Sequence, residues 1–136
     1  MKILVPIDGS EYSEKALLHA CDIAKTYQSN LTLLYVVEKS LPINLLDRKE
    51  YLEILRKFGN NVLIKGKKIT NDKGIDSKII IKEGNVVNEI IKLAKKEKYN
   101  LIIVGNKGLG FPTRFLLGSV SSKLTNSSPC SILIIK

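Results

Sequence analysis

Three glycines and a serine carry the strongest chemical signal in this chain. The stretch GNKGLGFPTRFLLGSV covers residues 105–120 and sets Gly105, Gly108 and Gly118 at the spacing G-x2-G-x9-G, with Ser119 directly after the last. Bare Cα atoms let a ligand approach the main chain, and successive N–H groups in such a loop form a concavity that binds anions. A helix beginning near Ser119 adds its partial positive charge, so that the Gly118 amide and the Ser119 hydroxyl can both meet a phosphate. Taken one at a time, the same glycines fit a tight strand-to-helix turn equally well. Asp8, in VPIDGS, is the second candidate. An ionised carboxylate only accepts hydrogen bonds, which suits it to sugar hydroxyls. Its alternative is to cap the following helix or turn, a role that Ser10 can fill.

Two other phosphate loops are absent. The dinucleotide fingerprint G-x-G-x-x-G belongs after a first strand, where only Gly9 stands, and no G-x-x-x-x-G-K-[ST] run occurs. Groups for covalent or acid–base catalysis are few. His19 lies in LLHAC and is read as half-buried, Cys21 as core, and Cys130 follows Pro129 with no sequence neighbour to lower its pKa. Lys107 and Arg114 can meet a terminal phosphate, but nothing obvious orients a water, so any hydrolysis is expected to be slow. Two cysteines far apart, neither in a C-x-x-C pair, suggest neither a disulfide framework nor a zinc site.

These residues need elements to position them. KILVPI from residue 2, LTLLYVV from 31, KIIIK from 78, LIIV from 101 and SILII from 131 are short and mostly apolar, as strands covered on both faces are. Helical spacing fills the intervals. After Ser10, Leu17, Ala20, Cys21 and Ala24 point inward; a long charged helix over about 45–71 buries Leu45, Leu52, Leu55 and Val62; a third over about 86–98 buries Ile90, Ile91 and Ala94; a short fourth covers about 119–127. The alternation predicts one α/β domain over residues 1–136, a three-layer, doubly wound, five-stranded parallel sheet of order 3-2-1-4-5 with helices on both faces. In that order the loops after the first and fourth strands part at the switch point, where open α/β sheets bind ligands. Asp8 and Gly105–Gly108 follow those two strands.

Composition narrows the setting. The 136 residues suit one core, and no apolar run is long enough to cross a bilayer, so a cytoplasmic protein that does not engage a membrane is expected. The net charge of +9 is uneven: residues 1–60 hold 8 basic and 8 acidic side chains, residues 61–136 hold 14 and 5. Without interleaved arginines and aromatics, the lysines read as solvated helix faces, and nucleic acid is not the expected partner.

At this point the chain resembles a known family. The spaced glycines, the opening ILVPIDGS, LTLLYVV, and the end FLLGSVSSKLTNSSPCSILIIK fall in the order of the universal stress proteins of the ATP-binding type, over essentially the whole length. The resemblance implies adenine beside Pro6, Asp8 and Val36, with the ribose within reach of Asp8 and Gly105. It implies phosphates surrounded by Val104, Gly108, Gly118, Ser119 and Val120, with Ser121 as an outlying addition. The implied cofactor is ATP, with ADP or AMP as alternatives and a divalent cation held by the phosphates as an option. A homodimer through the final strand, 131–136, is implied as well, and fits an apolar strand left at a sheet edge. A protein partner is expected, of unknown identity. The resulting function is a nucleotide-dependent regulatory module of the stress response. A slow ATP hydrolase and a dimeric scaffold without physiological nucleotide are the alternatives.

Overall fold

The computed structural model describes residues 1–39, 45–108 and 119–136, and side chains in the second segment from residue 47 onward. Among the described residues nine elements alternate: β1 (Lys2–Pro6), α1 (Glu11–Tyr27), β2 (Asn30–Glu38), α2 (Leu45–Asp72), β3 (Lys78–Gly84), α3 (Val86–Lys96), β4 (Leu101–Gly105), α4 (Ser119–Ser127) and β5 (Ser131–Ile135). All strands are parallel, in the order β3-β2-β1-β4-β5, as the alternation predicts. No described helix is long and apolar enough to cross a membrane.

Period-two alternation along the strands divides the core. Ile3, Val5, Leu31, Leu33, Tyr35, Val37 and Ile103 join α1 and α2 in one buried cluster; Leu4, Leu34, Val36, Ile102 and Val104 join α3 and α4 in the other. The helices begin where their caps dictate. Ser10 Oγ accepts from Ser13 N (3.1 Å), with Glu11 and Glu14 in the first turn against the helix dipole. Asn85 Oδ1 accepts from Asn88 N (3.0 Å), while a Glu38 carboxylate oxygen accepts from Val86 N (3.2 Å), so the end of β2 also closes the start of α3.

Two glycines that attract no attention in the sequence seat α2. A Cβ on Gly59 would lie 2.4 Å from the Tyr35 ring, and one on Gly66 would lie 2.9 Å from Leu33 Cδ1. They stand seven residues apart, two helical turns, and let the 28-residue helix lie close on β2. Leu52 is buried there as expected; Leu63, next to Val62, goes deeper than Val62 does, and Leu45 lies outside the residues with described side chains. In α3, Val87 and Leu93 join Ile90 and Ala94 as buried positions.

Two expectations are corrected. β3 is not covered on both faces: it is an edge strand, and Ile79 and Ile81 remain 41% and 37% exposed. A continuous apolar run signals burial only when the strand is central. His19 is exposed rather than half-buried, because the inward arc of α1 passes through Ala16, Leu17, Ala20 and Cys21.

The carboxyl end of β3 is tied to α2 by charge. Arg56 donates Nε and Nη2 to the two oxygens of Glu83 (2.7 and 2.8 Å), and Lys39 Nζ stands 3.2 Å from Oε1. The Arg56 hydrogen bonds, supported by Lys39, lower the Glu83 carboxyl from 4.5 to about 2. Because the folded value lies below the unfolded one, the stabilisation is present above about pH 4.5 and is lost as pH falls towards 2. The side chain is 32% exposed, so solvent screening holds the effect to about 1 kcal/mol or less. Urea midpoints of wild type and Glu83→Gln are therefore expected to differ at neutral pH and to converge in acid; a gap that stays constant would disprove the assignment.

Candidate functional site

The sheet opens between its first and fourth strands. β1 and β4 pair at Ile3↔Leu101 and Leu4↔Ile102 and then stop, although β1 runs on to Pro6 and β4 to Gly105. On the outer sides pairing continues, β1 with β2 to Pro6↔Leu34 and β4 with β5 to Gly105↔Ile135. Ile7 N still donates to Leu34 O (2.8 Å), so the chain leaving β1 follows β2 and turns away from β4. The gap lies at the carboxyl ends, where the winding reverses.

Asp8 and Gly108 meet at this opening. Asp8 Oδ1 accepts from Ser10 N (2.8 Å), which shapes the turn into α1, while Ser10 itself is the N-cap. Asp8 Oδ2 faces Gly108 so closely that a Cβ there would lie 2.5 Å from it. The carboxylate thus combines a local turn role with a position at the crevice. The backbone with positive φ is not in the spaced motif at Gly105 or Gly108 but at Gly9, with φ of 87°.

Gly105 is bare for a packing reason. A Cβ there would lie 2.7 Å from the carbonyl carbon of Tyr12 and 2.8 Å from its oxygen, because α1 crosses the end of β4 at that point. Ser121 is buried, and its hydroxyl donates to the Gly105 carbonyl (2.6 Å), which fastens the first turn of α4 to the end of β4. Ser119 opens α4 and is exposed; Val120 packs partly into the α3 and α4 cluster. Val36 and Val104 are buried in that same cluster, and Pro6 is half-buried at the end of β1. Gly118, together with Gly110 and Arg114, lies outside the described residues.

Three side chains near the opening were not singled out by the motif. Tyr35 is 7% exposed, and its phenol is pushed up by burial first, then by the Asp8 and Tyr51 charges. The alternation in LTLLYVV places it on the face of Leu33 and Val37, which is the signal that could have found it. Tyr12 carries the backbone against Gly105, and Lys107 Nζ stands 5.9 Å from its ring centroid. Asn106 is 7% exposed; its N–H donates to Ile135 O (2.7 Å), and its Oδ1 is buried with no hydrogen-bond partner among the described residues.

This geometry can be set beside known proteins. Residues 1–136 match the sequence profile of the Universal stress protein family. The chain belongs to that family. A universal stress protein of Methanocaldococcus jannaschii is 34% identical over 138 residues, covering 99% of this chain and 81% of the relative. The solved universal stress protein UspA of Lactobacillus plantarum superposes with a TM-score of 0.92 at 28% identity, over 100% of this chain and 97% of that one. A crystal structure of a universal stress protein in complex with cAMP has a TM-score of 0.77 at 25% identity, over 100% and 97% of the two chains. The fold of this chain is the one that these solved universal stress proteins share.

Proposed function

We propose that this universal stress protein is an adenine-nucleotide-dependent regulatory module whose ligand occupies the opening between β1 and β4. The observation that carries the reading is the early end of the β1–β4 ladder, with Asp8 and Gly108 face to face at the gap. In this reading adenine lies beside Pro6 and Val36, and Asp8 accepts from the ribose hydroxyls. Backbone groups of Val104, Gly105, Gly108, Gly118, Ser119 and Val120 receive the rest of the nucleotide, and Ser121 holds α4 in place for them. The cAMP-bound relative supports an adenine nucleotide as the ligand class. ATP is the proposed ligand, with ADP or AMP as substitutes. No group of three His, Cys, Asp or Glu among the described residues is arranged to hold a metal, so a divalent cation would rest on the phosphates.

The same module is proposed to form a homodimer through β5, an edge strand whose Ile132, Leu133 and Ile134 are only partly buried, and to act on a protein partner. Sedimentation of the purified protein, followed at 260 and 280 nm, reports both properties. A dimer carrying excess absorbance at 260 nm is expected. Equilibrium binding of ATP should weaken about tenfold or more in Gly108→Ala and Gly118→Val, which place bulk where backbone must approach the ligand. Unchanged affinity in both folded variants would overturn the site.

A further inference from the structure

We propose that the cleft between α1 and α2 is a second ligand site, one that takes a small, uncharged and largely apolar molecule. The cleft holds about 240 Å³, and its apolar walls are Ile7, Leu17, Phe58, Val62 and Ile69. That volume lies below the roughly 300 Å³ at which drug-sized sites begin, so the guest is about the size of a substituted aromatic ring. Phe58 supplies a wall: among the described residues it is 42% exposed, and it meets Tyr35 edge-on at 6.1 Å between centroids.

The polar groups of the cleft decide the charge of the guest. Ser10 and Ser13 are engaged in the α1 cap, where Ser13 N donates to Ser10 Oγ (3.1 Å) and Ser13 Oγ donates to Ser10 O (3.0 Å). The uncharged Asn61 also lines the cleft, and at the rim Lys65 Nζ and Glu14 Oε2 stand 4.0 Å apart and offset each other. An ion entering the cleft would give up its hydration and meet only rim charges that are set against each other and open to solvent, whereas a neutral apolar guest meets no such cost. Gly9 closes one end, with Phe58 Cζ and Val62 Cγ2 each 3.0 Å from where its Cβ would be. Neither Asp8 nor Gly108 lines the cleft, so this site and the nucleotide site stand or fall separately.

Three probes with one ring and different heads test the assignment: benzyl alcohol, benzoate and benzylammonium, titrated into the full chain with labelled Ile, Leu and Val methyls. Benzyl alcohol should give saturable shifts at Ile7, Leu17, Val62 and Ile69, and bind at least about fivefold more tightly than either ion. Phe58→Ala, at a partly exposed position, should stay folded and weaken benzyl alcohol about fivefold; Val62→Phe, which fills the cleft, should abolish the shifts. The proposal is overturned if shifts are confined to the exposed Ile54 and Ile64, if an ion binds as tightly, or if folded Phe58→Ala binds unchanged. Shifts of the cleft methyls that follow protein concentration without any probe would instead assign the cleft to a second copy of the chain, and would overturn it too.

Discussion

Gly105→Val is expected to destabilise the fold by about 3 kcal/mol, a large share of the roughly 5–15 kcal/mol that holds a domain together. The added Cβ would meet the main chain of Tyr12 at 2.7–2.8 Å. Backbone cannot rotate aside as a side-chain tip can. α1 cannot retreat either, since it is pinned by the Ser10 cap and by the burial of Ala16, Leu17 and Ala20. Any loss of nucleotide affinity in this variant would follow from the fold. Gly108→Ala supplies the contrast, because the obstacle there is one carboxylate oxygen of Asp8 at the crevice. Denaturant unfolding of both variants separates the two glycines: a midpoint near wild type for Gly105→Val would mean that α1 does not cross β4 as described.

Gly59→Ala should cost about 2 kcal/mol, against the direction in which helix propensity points. Replacing a mid-helix glycine by alanine ordinarily gains about 1 kcal/mol. Here the methyl group would sit 2.4 and 2.5 Å from ring atoms of Tyr35, which is buried and leans on Phe58, so overpacking wins. Tyr35→Val should relieve the clash, and a double-mutant cycle should return a coupling of at least about 1 kcal/mol. If Gly59→Ala instead stabilises the protein, α2 lies further from the sheet than described.

Much of this molecule is legible in its sequence. The apolar runs at residues 2, 31, 78, 101 and 131, alternating with helical spacing, dictate a doubly wound sheet because parallel strands need right-handed crossovers. Winding then places Asp8 beside the Gly105–Gly108 stretch. Other features depend on where two distant elements touch, and local patterns do not carry that. Gly105 reads as a ligand glycine, yet the contact that forbids a side chain is with Tyr12 of α1. Gly59 and Gly66 look like weak points in a charged helix until Tyr35 and Leu33 lie beneath them. β3 has the composition of a covered strand and sits at an edge. His19 misleads for a simpler reason, since a neighbouring apolar residue on a helix does not share its face.

Pro6 explains why the sheet parts where it does. Main-chain N–H groups along a central parallel strand point alternately to its two neighbours. Ile7 donates to β2, so the nitrogen of Pro6 faces β4, and that nitrogen has no hydrogen to offer. The seam between β1 and β4 therefore cannot close one step further. Whatever enters the gap does not have to break backbone pairing to get in, and the reorganisation that would weaken its binding has already been met in folding.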